Sequence, residues 1–551
     1  MKQEKKSIII FLGMTLLLLS LYPLHSLEKK DPLTVAESSD FTATSLHSDV
    51  MNFIRGLQEK SSLLRVETLC VSPEGREVPL LVIGQPVPSS PLALNHDKRA
   101  VLYIQANIHA GEVEGKEASL MLARDILLQE KPPYLDKLVI LIAPIFNADG
   151  NEKIDPNNRR RQAGPEKGVG VRYNGQNLDL NRDGMKLESP EVQGLVRNIL
   201  NKWDPFLLVD CHTTNGSYHQ EPVTYIWALN PNGDFPLIEY MREKMMPSIN
   251  KNLKQKYDVL SVPYGNFMDY RDPEKGWRPS GPEPRYITNY IGLRNRMAIL
   301  NENYSYADYK TRVLGCYYFL HSILEYCHAH TDEITQLIGQ ADQRTIQRGL
   351  RPTEKDTVAV EYDLQPLKEK VTVLGYEMEV IEKEGSRPQI RRTDKPKAYS
   401  VPFFTDFVPK RSVSFPFAYL IPTADPEIIH KLLQHGLLVE KLTKPAKLEV
   451  ESFRITEIKG AERLYQGHRM NSVKGEYNLE EKEFPAGTLF ISTAQPLANV
   501  AAYLLEPESD DGLLVWNFFD RYVVPQWGRG ALPYPVYKLL KPANLVKERV
   551  K

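Results

Sequence analysis

Residues 105–127, QANIHAGEVEGKEASLMLARDIL, set His109 and Glu112 three positions apart where a strand-like run turns helical. A histidine and a carboxylate so placed can hold a divalent cation. The spacing alone says little, because H-x-x-E occurs three times in the chain, at His25 with Glu28, His109 with Glu112 and His330 with Glu333. His25 lies in an N-terminal apolar segment expected to be removed, and His330, in HAHTDE, reads as a solvated helix end. Context separates His109 from these. It follows a buried strand, Glu112 opens a helix, and His212 in LLVDCHTTNG stands at another strand end. Alone, His212 would read as a satisfied core histidine. Two histidines and one carboxylate, with a fourth position left to water, make a catalytic zinc set, whereas a structural site is closed by four protein ligands. The expectation is one Zn2+ ion on His109, Glu112 and His212. Zinc acidifies its water and polarises a carbonyl, but amide hydrolysis also needs a base to carry the proton to the leaving amine. Glu302, in AILNENYSY after the fourth buried run, is placed for that role.

The elements that must position these residues are legible as uninterrupted apolar runs: AVLYIQA (100–106), KLVILIAPIF (137–146), PFLLVDC (205–211) and RMAILNE (296–302). Such runs alternating with helical segments argue for an α/β fold, a mixed, mainly parallel sheet covered by helices on both faces. Before them, Leu46, Val50, Phe53, Ile54 and Leu57 mark a helix within residues 40–60, and LRVETLCVSPEGREVPLLVIG reads as an edge hairpin turning at Pro73–Gly75. His109, Asn147 with Asp149, His212 and Glu302 all fall at or just beyond strand ends. Ligands of open α/β sheets bind in the crevice at that edge. In LESPEV, Ser189 reads as a helix N-cap with Pro190 at the first helical position.

With those residues in place, the chain resembles the zinc metallocarboxypeptidase family of the carboxypeptidase A type. NIHAGEVEGKE is similar to the family's first metal motif, VDCHTT to its third-ligand strand, RYNGQNLDLNRD to its substrate-binding segment and SPEGREVPLLVIG to its early hairpin. The resemblance runs from about 40 to 325. It implies His109, Glu112 and His212 as zinc ligands and Glu302 as general base. It also implies Arg172 as the cation facing the developing oxyanion, and Asn181 with Arg182 as the anchor for a terminal carboxylate. Arginine's planar fork suits a carboxylate, and fixed charge where negative charge develops is commonly the largest catalytic term. Arg159, Arg160 and Arg161 in NNRRRQ compete for the oxyanion role, though a basic turn of this kind usually reads as solvated. Asp183, where the family commonly carries a second asparagine, would set a carboxylate beside the anchor. Tyr286 and Tyr290 are both candidates for the family's tyrosine upstream of the base. Glu114 and Glu117 read as ordinary helix carboxylates.

The rest of the chain bounds these expectations. At 551 residues it should hold several domains, and 69 basic against 70 acidic residues leave a net charge of -1, which excludes nucleic acid as an implied partner. MKQEKKSIIIFLGMTLLLLSLYPLHS has the layout of a secretory signal ending near Ser26. An exported, periplasmic or extracellular protein follows, with membrane association only if that segment is retained. On a helix, the eleven positions between Cys316 and Cys327 span about 16 Å, too far for a disulfide. The expected domains are a signal peptide (1–26), a catalytic domain (27–345) and a β-leaning mixed α+β domain (346–551) of short strand-like pieces rich in proline and lysine. The functional expectation is an exported exopeptidase acting on peptides with a free C-terminus. An amidase or deacylase acting on peptidoglycan stem peptides or small acylated amino acids is the alternative, and a non-catalytic binding protein would need neither the ligands nor Glu302.

Overall fold

Apolar runs too buried to show alternation form the centre of the molecule. The computed structural model describes residues 31–381, 389–525, 527, 530 and 532–550, so the proposed signal and the His25 pair lie outside it. Strands β1 (Leu64–Val71), β2 (Glu77–Ile83), β3 (Ala100–Ala106), β4 (Leu138–Ala143), β5 (Leu207–Thr214), β6 (Val223–Trp227) and β7 (Ser261–Pro263) join β10 (Met297–Tyr304) in an eight-stranded sheet. Its order is β1-β2-β4-β3-β5-β10-β6-β7. The central strands β4, β3, β5 and β10 run parallel, the pairings β1–β2, β2–β4 and β10–β6 are antiparallel, and β7 adds to β6 in parallel. This is the mixed α/β sheet expected from the sequence, with the β1–β2 hairpin at its edge.

Helices Glu114–Leu127 and Tyr309–Ala329 cover one face, His47–Lys60 adds Val50, Phe53, Ile54 and Leu57 to the same core, and Pro190–Gly194 and Ile287–Leu293 bring Val192, Ile287 and Ile291 to the other face. Gly115 lets the first of these approach the sheet, since a Cβ there would meet the Cys211 Cβ at 2.5 Å. Ser189 caps the helix Pro190–Gly194 as expected, accepting from the Val192 N–H. Cys70, Cys211, Cys316 and Cys327 are all free thiols.

The C-terminal half is strand-rich. Strands β8 (Asn266–Phe267) and β9 (Trp277–Arg278) extend a pair of long strands, β11 (Thr357–Ile381) and β12 (Gln389–Ser414). The proline-rich stretch is therefore not a series of short pieces but one long antiparallel ladder. Pro366 sits at a shift in its register, because proline has no N–H to give the ladder. A seven-stranded sheet follows, ordered β16-β15-β18-β13-β17-β14-β19. Its strands are β13 (Ala418–Ile421), β14 (Glu440–Leu442), β15 (Ala446–Gly460), β16 (Asn471–Phe484), β17 (Leu489–Ser492), β18 (Tyr537–Leu539) and β19 (Lys547–Arg549).

The boundary expected at 345 falls inside the helix Thr331–Leu350, which buries Ile334, Ile338 and Ala341. Residues 33–551 form one compact unit. The second face of the catalytic sheet and the C-terminal strands share a core in which Leu141, Leu208 and Ile291 join Tyr419, Leu432 and Trp516.

Candidate active site

β3 ends at Ala106, and Asn107 turns the chain with a φ of +65° that asparagine tolerates better than most residues. Its Nδ2 donates to the carbonyls of Ala110 (3.1 Å) and Glu112 (3.3 Å), closing the loop that carries His109 and Glu112. Asn147, just beyond β4, braces the same loop by donating to the Ile108 carbonyl at 3.2 Å. Asp149 does not share this site. It accepts from Ser72 at 2.6 Å and from Arg76 at 2.8 Å, which pins the β1–β2 turn instead.

His212 and Glu302 lie within β5 and β10, side by side in the parallel register. The His109 Nδ1 lies 3.1 Å from Glu112 Oε1, the His212 Nδ1 2.9 Å from Glu112 Oε2, and the two Nδ1 atoms 3.2 Å from each other. All three side chains are buried. Each ring turns its other nitrogen to a further carboxylate, His109 Nε2 to Asp179 Oδ1 at 3.0 Å and His212 Nε2 to Asp210 Oδ2 at 2.9 Å. An imidazole that gives its Nε2 proton to a carboxylate presents a lone pair at Nδ1. Two lone pairs and a carboxylate converging in a buried place call for a cation, and carboxylates behind ligand histidines are the usual support of a zinc site. The residues present therefore fit a zinc ion.

Charge is distributed unevenly around this cluster. Burial would raise the Glu112 pKa, but His109, Arg159 and His212 together hold it well below the carboxylate range. Asp179 likewise stays low despite burial, because His109, Arg182 and Arg172 surround it. Burial pushes Glu302 up to about 8 against the charge of His212, with Glu112 adding to the rise. The Glu302 Oε2 is buried and has no hydrogen-bond partner.

A cavity of about 490 Å³ opens beside the cluster, lined by His109, Glu112, Arg172, Asn181, Arg182 and Glu302 among others. His212 lies immediately behind Glu112. The Arg172 Nε donates to Asp179 Oδ2 at 2.7 Å. Arg159, expected to be solvated, instead reaches Glu112 Oε1 at 3.0 Å and the Thr213 carbonyl at 3.1 Å, and Arg160 and Arg161 also border the cavity. The Asn181 Oδ1 accepts from the Ile287 N–H at 2.9 Å, which commits the oxygen and leaves the Nδ2 as the amide's donor end. Arg182 lies 4.4 Å over the Tyr286 ring. Tyr286 borders the cavity, whereas Tyr290 is buried against His435 at 2.7 Å.

Asp183 does not flank the anchor. Fully buried, it takes Lys186 Nζ, the Glu188 N–H, the Ser189 N–H and the Ser189 hydroxyl. Glu114 and Glu117 are helix carboxylates but not exposed ones. Glu114 pairs with Arg312 at 3.1 Å and takes the Thr213 hydroxyl, while Glu117 binds Thr44 and Ser45. The His330–Glu333 pair (3.1 Å) is completed by Tyr240 and Lys244 at the surface, and among the described residues no further histidine or carboxylate converges on it.

Asp179 and Asp210 went unread in the sequence. Asp210 had a signal: two positions before His212 on a strand, it must share the histidine's face. The cavity floor was also unread. Leu300 pairs with Ile226 in the β10–β6 register two positions from the Glu302–Thr224 pair, and Trp227 and Leu229 continue an apolar surface.

Residues 50–219 match the zinc carboxypeptidase family model. The chain carries a zinc carboxypeptidase domain. It is a hydrolase of the metallocarboxypeptidase type, and enzymes of that family act on peptides with a free C-terminus. Carboxypeptidase 2 of Trichophyton rubrum is 24% identical over 520 residues, covering 90% of this chain and 89% of that protein. A probable carboxypeptidase 2 of Arthroderma benhamiae is 23% identical, covering 87% and 86%. Among solved structures, carboxypeptidase A of Helicoverpa armigera superposes with a TM-score of 0.39 at 15% identity, covering 52% of this chain and 75% of that one. The zinc carboxypeptidase domain thus contains the His109–Glu112–His212 cluster, and β10 with Glu302 lies beyond the matched residues.

Proposed function

We propose that the chain is an exported carboxypeptidase that binds one zinc ion through His109, Glu112 and His212 and uses Glu302 as its general base. Bound zinc would supply a positive centre that acidifies water and polarises the scissile carbonyl. Asp179 hydrogen-bonds the His109 ring and Asp210 stands 2.9 Å behind the His212 ring, with both Nδ1 atoms inward. Glu302 lines the cavity, keeps a buried oxygen without a hydrogen-bond partner and has a raised proton affinity, so it can take the proton of the attacking water and pass it to the leaving amine. Arg172 and Arg159, both fixed by carboxylates, offer positive charge to the oxygen on which negative charge develops.

The observation that carries this reading is the anchor. Asn181, with its oxygen occupied by the Ile287 N–H, and Arg182, packed on Tyr286, present donors in the same cavity as the ligand cluster and the base. A terminal carboxylate is the group such donors select. The apolar Leu300–Ile226 floor suits an uncharged side chain on the residue released.

The test compares a peptide bearing a free C-terminus with its amidated twin. Losing one charged anchor contact should slow the amidated peptide about a hundredfold. Equal rates would sink the carboxypeptidase reading in favour of an amidase. Export is supported by the basic, then apolar, N-terminal layout, and sequencing the N-terminus of the protein recovered outside the cell checks it.

A further inference from the structure

The turn joining β15 to β16 reaches from the C-terminal sheet into the catalytic half. Tyr465 and His468 exchange both backbone bonds, N to O at 2.8 and 3.0 Å, leaving Gln466 and Gly467 as a two-residue turn. Both have left-handed φ angles, +51° and +83°. The first central position of such a turn usually goes to asparagine, aspartate or glycine. A glutamine there is strained, and strain of this kind gathers where a side chain has a task.

Its partner is specific. The Gln466 Oε1 accepts the Asp179 N–H at 2.8 Å, across 287 positions of sequence. On the other side of the turn, the His468 Nε2 meets Glu188 Oε1 at 2.8 Å. The two side chains grip opposite ends of the segment 179–188, which holds Asn181 and Arg182. A third hold lies alongside: the Tyr465 ring is 5.8 Å from the Arg285 guanidinium, and Arg285 donates from its N–H and Nε to Asp511. Arg285 precedes Tyr286 and Ile287, the residues that pack on Arg182 and bind Asn181.

Asp179 is where these holds matter. Its carboxylate serves His109, Arg172 and the Asn181 N–H, and from its backbone N–H the chain runs directly into Asn181 and Arg182, so the Gln466 contact bears first on the anchor. Gln466 does not line the cavity and can act only through this contact.

We propose that the tip Tyr465–His468 is a clamp on the substrate-binding segment and that Gln466 is a positioning residue for the carboxylate anchor. This rests on the carboxypeptidase reading of Asn181 and Arg182. It gives the C-terminal region a part in substrate binding.

The test uses the full chain with Gln466→Met, which keeps the shape and removes the acceptor, and Gln466→Glu, which restores an acceptor oxygen. Amide exchange at Asp179 should quicken about tenfold in Gln466→Met, as expected for loss of one hydrogen bond. KM for a peptide with a free C-terminus should rise about five- to tenfold while kcat stays within about twofold. Zinc content and Tm should not change, and Gln466→Glu should recover both the exchange rate and KM. Unchanged exchange at Asp179 overturns the clamp. Faster exchange with unchanged KM, or a joint fall of kcat and Tm, overturns the positioning role. If the wild-type chain releases no C-terminal residue at all, the carboxypeptidase reading falls, and the exchange rate still decides the clamp.

Discussion

The two walls of the cavity differ in the charged groups set against their buried side chains. On the wall formed by the His109 loop and β5, the outer nitrogens of both histidines face carboxylates, and Glu112 touches both histidines and Arg159. On the wall formed by β10 and β6, the Glu302 Oε2 has no partner, and the neighbouring pair Leu300–Ile226 is apolar. The first wall is built to hold its groups still. The second keeps one carboxylate free to change its protonation and one surface free to accept a side chain. Holding a cation and moving a proton make opposite demands on hydrogen bonding, and the fold meets them on adjacent strands.

Variants can break that division. The largest effect should come from His212→Ala, in which bound zinc, read by elemental analysis, and turnover disappear together. Next comes Glu302→Gln, which should bind zinc normally while kcat falls about a thousandfold. Loss of zinc in this second variant would mean that the walls are not separable. Asp179→Asn should weaken zinc about ten- to a hundredfold in a competition titration with a chelator, since it removes a support rather than a ligand. The smallest change belongs to the floor: Leu300→Ala should raise KM about tenfold for a peptide ending in phenylalanine or leucine, with zinc content and the release of a C-terminal alanine little affected.

The parallel strands were legible because strands buried on both faces read as unbroken apolar runs, and β3, β4, β5 and β10 lie where those runs placed them. His109, Glu112, His212 and Glu302 were legible because each stands at or near the end of such a run. Arg159 was misjudged because nothing in NNRRRQ indicates that its first arginine takes a left-handed φ of +49° and turns inward. Asp183 was misjudged for a related reason: Lys186 and the Ser189 cap draw it into the protein, away from the cavity. Asp179 and Gln466 obey no spacing rule, since the partners of each are fixed by tertiary contacts across 70 and 287 positions. In the C-terminal half, prolines within β11 and β12 broke the alternation that would have marked two long strands.

The core shared by the catalytic sheet and the C-terminal strands has a consequence for modularity. A chain cut near residue 345 would lose the Asp179–Gln466, Arg285–Asp511 and Tyr290–His435 contacts at one stroke. It would also bare the apolar face of the helix Ile287–Leu293. Residues 33–345 are therefore not a portable cassette: the two halves must be inherited, expressed and engineered as one piece.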